Sequence, residues 1–121
     1  MANTAIKEVT ASELNELLGH RGVVLANFST TWCGPCRAMA PIVERLAARF
    51  DGRADVVKID GDRADELTSA HGVRGFPTFL LFADGHVVER IVGMTSETAL
   101  AALIESQLAP ARKDSQPLAA G

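Results

Sequence analysis

The sequence predicts an α/β fold in which one mixed β-sheet of about five strands is flanked by about four helices. Three observations support this prediction. The apolar run VVLANFS, residues 23–29, has the composition of a buried central strand. Apolar residues then recur at intervals of three and four from residue 39 to residue 50, which is the period of a helix. The pair Asp84-Gly85 lies between two further apolar segments and is a strong signal for a hairpin turn.

The N-terminal half of the chain alternates strands and helices. Residues 5–9 are expected to form a short first strand. Thr10 and Glu13 have the spacing of a capping box, which predicts that the first helix begins directly after Thr10. After the strand at residues 23–29, the second helix is expected at residues 34–50. Two prolines fall in this helix, one in its first turn, where proline is tolerated, and one in its interior, where a kink is expected.

The C-terminal half is expected to supply three more strands and two more helices. Their predicted bounds are residues 54–60, 77–83 and 86–92 for the strands, 63–70 for a short helix, and a last helix capped by Thr95 or Ser96. The alternating first half favours parallel pairing through crossover helices, and the hairpin adds antiparallel pairing. Residues 1–109 are therefore predicted to form one domain, and residues 110–121 a flexible tail.

Composition and charge exclude several classes of function. The chain has 121 residues, 47% of them hydrophobic and 22% charged, which is ordinary for a globular protein. Its net charge of -3 gives no reason to expect a nucleic acid or an anionic membrane as a partner. No apolar run is long enough to span a membrane. The N-terminus lacks a basic region followed by an apolar stretch, so no secretory signal is expected and the cytoplasm is the predicted location.

Cys33 and Cys36 are the only cysteines, and their spacing is compatible with a redox couple, half of a metal site or a structural staple. In a reducing cytosol a lasting structural disulfide is unusual, and a loop this short stabilises weakly. A structural zinc site needs four ligands, and His20, His71 and His86 have no paired spacing. Redox chemistry is thus the favoured interpretation, and no metal is expected.

The position of the cysteines at the start of a helix assigns a different role to each. Free N–H groups and the positive end of the helix dipole favour a thiolate at Cys33. Cys36, one turn later, is expected to lie deeper and to react second. Cys33 would then attack a substrate disulfide, and Cys36 would resolve the mixed disulfide. A CxxC pair next to a βαβ pattern indicates this chemistry.

Three motifs occur together in this chain: WCGPC at residues 32–36, Lys58 in VVKID, and GVRGFPTFLLF at residues 72–82. On these motifs the sequence resembles the thioredoxin family over residues 5–108. It implies the thioredoxin fold and the activity of a protein-disulfide reductase. It also implies that Pro77 is a cis-proline beside the active-site disulfide and that the backbone of Phe76 pairs with an extended substrate segment. The apolar surface expected around Cys33 consists of Trp32, Gly34, Pro35, Gly75, Phe76, Gly93 and Met94.

The resemblance further implies the partners. These are a flavin-containing thioredoxin reductase, which uses NADPH to restore the dithiol, and diverse disulfide-bearing proteins. The domain itself is expected to need no bound cofactor and to be a monomer. Two alternatives remain: a redox donor or oxidant dedicated to one partner, and a binding or regulatory subunit that uses the apolar surface around Trp32. The Gly-Pro pair between the cysteines resembles the reducing members of the family.

One position departs from the family pattern in a way that concerns the mechanism. Typical thioredoxins have a buried aspartate six residues before the first cysteine, in a strand ending Asp-Phe-Trp, whereas this chain has Asn27, Phe28 and Ser29. The family's aspartate is thought to take the proton of the second cysteine. An amide cannot act as that base, and Lys58 would lose its charge partner. We therefore expect slower resolution, although a neutral residue also avoids a costly buried charge.

Overall fold

The computed structural model describes residues 6–108, which form five strands and four helices in the predicted order. The strands are β1 Lys7–Glu8, β2 Val23–Ser29, β3 Asp55–Asp60, β4 Thr78–Ala83 and β5 His86–Val92. The helices are α1 Ala11–Gly19, α2 Gly34–Arg49, α3 Asp65–Ala70 and α4 Glu97–Leu108. The predicted tail, residues 110–121, lies outside the described residues, as does the first residue of the predicted β1.

The strands form a single mixed sheet in the order β1-β3-β2-β4-β5. The pairs β1–β3 and β2–β3 are parallel, and the pairs β2–β4 and β4–β5 are antiparallel. The prediction of parallel pairing in the first half and a hairpin in the second is confirmed. Strand β2 occupies the centre of the sheet, and all seven of its residues are buried. The segment that leads directly into the cysteines is therefore held on both edges.

Local sequence signals fix the ends of several elements. Thr10 caps α1 in a capping box with Glu13, as predicted. Asp84 and Gly85 both have positive φ, 51° and 87°, which is the backbone of the tight hairpin turn. Ser96 accepts a hydrogen bond from the Ala99 N–H at 3.0 Å, as expected of the residue before α4.

Other predicted bounds differ from the structure by one or two residues, and hydrogen bonding explains two of the differences. Helix α3 begins at Asp65 rather than Arg63, because the N–H groups of Arg63 and Ala64 donate to the Asp60 carbonyl in a turn. Strand β4 begins at Thr78 rather than Pro77, since proline has no N–H to give to a ladder.

Two apolar layers, one on each face of the sheet, form the core. On one face α2 and α4 pack on β2 and β4 through residues such as Val43, Leu46 and Leu100. On the other face α1 and α3 pack on the alternate strand residues, among them Ala26 and Phe28. Because side chains alternate along a strand, Asn27 and Ser29 project toward the α2 face, where the cysteines lie.

No helix within residues 6–108 is long and apolar enough to cross a membrane.

Candidate active site

The two cysteines lie where the central strand gives way to helix α2. Cys33 is the N-cap residue of α2, and Cys36 lies in its first turn. They form a disulfide with their Cα atoms 5.2 Å apart, which lies within the usual range for disulfides. The Cys36 N–H donates to Cys33 Sγ at 3.1 Å, so the first turn of the helix directs a backbone donor at that sulfur. This arrangement favours negative charge on Cys33.

Burial alone does not distinguish the two cysteines, because each is 5% exposed. The expectation that Cys36 is the more buried residue is therefore wrong by this measure. Their neighbours differ, however. Cys33 Sγ lies 3.6 Å from the Phe76 carbonyl oxygen on the substrate side predicted from the sequence, whereas Cys36 lines a cavity beneath α2.

The loop before β4 forms the wall opposite Cys33. The peptide bond between Phe76 and Pro77 is cis. The Gly93 N–H donates to the Pro77 carbonyl at 2.8 Å, which brings the end of β5 next to this loop. The structure thus places Phe76, Pro77 and Gly93 together beside Cys33, although they are more than 40 residues away along the chain.

Trp32 stands at the edge of the site and is held by a residue that sequence reasoning missed. The Trp32 indole N–H donates to Asp62 Oδ2 at 2.9 Å. Its ring meets the Phe76 ring edge to face, with the centroids 6.1 Å apart. The indole nevertheless remains 65% exposed. Nothing in the sequence singles out Asp62, but its carboxylate fixes the orientation of an exposed aromatic ring.

The remaining members of the predicted apolar surface are accessible. Met94 is 59% exposed, a large value for an apolar side chain. Gly34 and Pro35 are exposed, and Gly75, Phe76 and Gly93 are partly buried. An accessible apolar rim around a reactive disulfide is suited to contact with another polypeptide.

Gly61 lies directly against the Phe76 ring of this surface, and the sequence analysis did not identify it. A Cβ atom at Gly61 would clash with the tip of the Phe76 ring. The absence of a side chain there therefore sets how closely the ring can approach β3. The signal in the sequence is only a glycine directly after a predicted strand.

We predict that Gly61→Ala displaces the Phe76 ring and weakens substrate binding while the fold persists. Overpacking of this kind costs about 1–3 kcal/mol, and a partly buried ring can relieve it by moving. The KM for a protein disulfide should rise about fivefold or more. Gly19→Ala is the matched control, because a Cβ at Gly19 meets nothing within 4 Å. An unchanged KM in Gly61→Ala, with thermal stability equal to that of the control, would contradict the role given to this glycine.

Asn27 is buried behind the disulfide, at 2% exposed. Its Oδ1 atom is buried and has no hydrogen-bond partner among the described residues. Asn27 pairs with Lys58 in the register of β2 and β3. No carboxylate within residues 6–108 lies within 4.0 Å of the Lys58 ammonium. The structure therefore pairs Asn27 with Lys58 and leaves Lys58 without a charge partner in the described part of the chain.

A cleft of about 290 Å³, open to solvent on one side and here called the inner cavity, lies between this part of the sheet and α2. The sheet contributes Asn27, Ser29, Lys58 and Asp60 to its wall, and the helix contributes Cys36. Thr30 also lines it, with a buried hydroxyl that has no hydrogen-bond partner among the described residues. No direct signal for this cavity exists in the sequence beyond the unusual Asn27 and Ser29.

The histidines do not contribute to the site. Among the described residues no group of histidine, cysteine and carboxylate side chains is arranged to hold a metal ion. His20 and His86 are exposed. His71 is partly buried instead, with its ring edge-on to Phe82. Burial, and secondarily the charge of Arg90, hold the pKa of His71 below its usual value.

Comparisons with known proteins identify the family. The family model described as Thioredoxin matches residues 5–106. The chain belongs to the thioredoxin family. A thioredoxin of Staphylococcus epidermidis is 38% identical over 104 residues, covering 86% of this chain and 99% of that protein. A thioredoxin of Staphylococcus aureus is 36% identical with the same coverage.

Solved structures of thioredoxins have the same fold. A mutant thioredoxin from Halobacterium salinarum superimposes with a TM-score of 0.80 at 46% identity, covering 89% of this chain and 95% of that chain. Mitochondrial thioredoxin 3 from Saccharomyces cerevisiae, in its oxidized form, gives 0.76 at 31% identity, covering 85% and 96%. The predicted thioredoxin fold is confirmed.

Membership in the thioredoxin family establishes the class of chemistry. Thioredoxins are thiol–disulfide oxidoreductases that generally act with thioredoxin reductase and with disulfide-bearing substrates. This chain carries the CxxC pair of that family at Cys33 and Cys36, and the pair forms a disulfide. The predicted activity, dithiol–disulfide exchange by a thioredoxin-family protein, is confirmed.

Proposed function

We propose that this thioredoxin-family protein reduces disulfides in extended segments of other proteins, with Cys33 as the nucleophile and Cys36 as the resolving thiol. The observation that carries this assignment is the position of Cys33 Sγ. It receives the Cys36 N–H at the start of α2 and lies 3.6 Å from the carbonyl of Phe76, which is cis-linked to Pro77. The first contact favours a thiolate, and the second places the sulfur beside a backbone edge that can pair with a peptide.

The reaction proceeds in two exchanges. The Cys33 thiolate attacks one sulfur of the substrate disulfide, forms a mixed disulfide and releases the other substrate sulfur as a thiolate. Cys36 loses its proton and attacks Cys33 Sγ. The Cys33–Cys36 bond forms as the bond to the substrate breaks, and the second substrate thiolate takes a proton from water. The substrate gains two electrons, and the protein dithiol loses two.

The apolar surface around Cys33 would hold the substrate during these exchanges. Trp32, oriented by Asp62, and Phe76 flank the sulfur, and Met94 extends the apolar area. Gly34, Pro35, Gly75 and Gly93 have little or no side chain to obstruct an approaching backbone. Because large apolar and aromatic groups contribute much of the energy of protein interfaces, Trp32 is the principal anchor in this proposal.

The proposal extends to the partners and the setting. Residues 1–109 would act as a monomeric domain in the cytoplasm. A flavin-containing thioredoxin reductase, which uses NADPH, would return its disulfide to the dithiol form. No cofactor bound to this chain is needed, because the two sulfur atoms carry the electrons themselves.

We predict that Asn27→Asp accelerates resolution of the mixed disulfide and lowers stability. Position 27 and Cys36 line the same cavity, so a carboxylate there can accept the Cys36 proton. Such a base contributes about 100-fold or more when no other acceptor is available. We expect a gain of about tenfold, because water in the inner cavity can already carry the proton. Burying the new charge should reduce the free energy of unfolding by about 1–3 kcal/mol near neutral pH.

The test follows the reduction of a model protein disulfide supplied with NADPH and thioredoxin reductase. Asn15→Asp is the matched control, because it makes the same chemical change at an exposed position of α1. Turnover by the wild type supports the proposed reductase. Equal rates for the wild type and Asn27→Asp would refute the role given to Asn27. If the wild type and Asn27→Asp are both inactive, while dithiothreitol still reduces the Cys33–Cys36 bond, a protein dedicated to one partner would be favoured.

A further inference from the structure

The inner cavity reaches the sulfur that must lose a proton in the second exchange. Cys36 forms part of its wall, and Cys33 does not. Opposite Cys36, the register of β2 and β3 pairs Asn27 with Lys58 and Ser29 with Asp60. Because side chains alternate along a strand, these four residues share the face of the sheet that α2 covers. The cavity is therefore bounded by the resolving cysteine on the helix side and by four polar residues on the sheet side.

Two buried oxygen atoms in the cavity wall indicate that it holds water. Asn27 Oδ1 and Thr30 Oγ1 are buried and have no hydrogen-bond partner among the described residues. Buried polar atoms are almost always satisfied by protein or by water. A water molecule occupies about 30 Å³ in the liquid, so a cavity of about 290 Å³ has room for several. A chain of water molecules from Cys36 past Asn27 and Thr30 is consistent with this volume and these partners.

The charged groups that face the cavity come from three elements. Strand β1 contributes Glu8, β3 contributes Lys58 and Asp60, and α2 contributes Arg37 and Glu44. Strand β2 contributes no titratable group. Glu8, Glu44 and Arg37 are exposed, so their charges are largely screened by solvent. Lys58 is a cation, which can stabilise a thiolate but cannot accept a proton.

Asp60 is the one carboxylate in the cavity wall that is not exposed. Its side chain is 17% exposed. Its Oδ1 accepts the Asp62 N–H at 2.9 Å, which fixes the carboxylate at the end of β3, and Arg63 Nε lies 3.7 Å from Oδ2. Asp60 also lines a second cleft, together with Thr10 and Glu66. Because the Asp60 side chain is partly exposed, a proton that arrives there from the inner cavity can pass to solvent.

From this arrangement we infer that the proton of the Cys36 thiol leaves through water in the inner cavity to the carboxylate of Asp60. The proton passes along the water chain to Asp60, and the Cys36 sulfur, now a thiolate, bonds to Cys33 Sγ. The bond between Cys33 and the substrate breaks, and the substrate sulfur leaves as a thiolate. Asp60 then releases its proton to solvent. This inference rests on the proposed resolving role of Cys36 and names the acceptor that Asn27 cannot be.

The experiment separates the two exchanges by mixing reduced protein with one equivalent of a small aromatic disulfide whose thiolate is coloured, so that no second disulfide molecule is left for Cys36 to attack. Attack by Cys33 releases one equivalent of thiolate, and resolution by Cys36 releases the second. If the wild type releases only one equivalent, the resolving role of Cys36 in the proposed function fails. If it releases two, that role stands, and the variants below decide whether Asp60 is the acceptor.

Asp60→Asn should slow the second phase about tenfold and leave the first phase unchanged. Asparagine keeps an Oδ1 acceptor for the Asp62 N–H, so the turn after β3 is preserved. The pH profile gives a readout that a purely structural change would not produce. In the variant, the second phase should rise about tenfold per pH unit between about pH 6 and about pH 8, because only the thiolate already present can react. In the wild type the second phase should change far less over this range.

Asp55→Asn, an exposed change at the opposite end of β3, is the matched control and should behave as the wild type. Ser29→Trp tests the cavity independently, because a large side chain on its wall would displace the water. Ser29→Trp should slow the second phase. An unaltered second phase in Asp60→Asn, equal slowing of both phases, or an unaltered second phase in folded Ser29→Trp would each overturn the inference.

Discussion

Replacing Cys33 by serine is expected to reduce the rate of protein-disulfide reduction by about 1000-fold or more. Exchange requires a thiolate, and a serine hydroxyl remains protonated under the same conditions. The N-cap position would still be filled well, since serine is a favoured N-cap residue and can accept the Cys36 N–H in place of sulfur. The loss of rate should therefore come without a loss of fold.

The measurement is turnover in the NADPH-coupled assay, beside thermal unfolding of the same samples. Cys33→Ser should release no thiolate in a rapid first phase and should form no mixed disulfide with substrate. A rapid first phase that persists in this variant would mean that Cys36 is the attacking residue, and the assigned order of the two cysteines would be reversed.

Replacing Cys36 by serine is expected to stop turnover to a similar extent but at a different step. The Cys33 thiolate keeps the backbone N–H of residue 36, because that donor does not depend on the side chain. The first attack should proceed at nearly the wild-type rate, and the mixed disulfide should then accumulate because no thiol is near enough to resolve it. The two single variants therefore serve as controls for each other.

The trapped complex can be observed directly by electrophoresis without reductant. Cys36→Ser mixed with a disulfide-bearing protein should give a band of higher mass that dithiothreitol removes, and Cys33→Ser should give none. Absence of a trapped species in Cys36→Ser, together with normal release of one thiolate, would show that another group resolves the intermediate. The same trapping reaction would identify substrates from their masses.

The double variant, with both cysteines changed to serine, distinguishes the proposed reductase from a binding or regulatory subunit. The observation that favours the binding alternative is the exposed apolar area around Trp32, at 65% exposed, and Met94. A specific complex that survives in the double variant and disappears when Trp32 is replaced by alanine would support binding as a separate function. Loss of the partner complex in the double variant would remove this alternative.

Much of the fold follows from local signals, and these were predicted well. The capping box at Thr10, the turn at Asp84-Gly85 and the position of every strand and helix depend on residues close together in the chain. The predicted ends of the elements were less accurate, because each end depends on which carbonyl accepts a hydrogen bond from each N–H. The start of α3 is an example, since the N–H groups before it bond to Asp60 rather than continuing the helix.

The reactive centre can be predicted from residues 32–36 and the helical pattern that follows them. Two cysteines three residues apart at the start of a helix share one face, and the first lies at the free N–H groups of that terminus. The sequence likewise predicts that Asn27 alters proton transfer, since an amide side chain does not titrate near neutral pH.

The surroundings of that centre depend on contacts between distant parts of the chain. The contact of Cys33 with Phe76, the bond from Trp32 to Asp62, and the inner cavity between Cys36 and Asp60 join residues on separate elements. Strand order and register set these distances, and they are fixed by packing over the whole sheet rather than by any local pattern. Asp60 looks like an ordinary surface carboxylate in the sequence, and it becomes a candidate proton acceptor only when the pairing of β2 with β3 places it opposite Ser29.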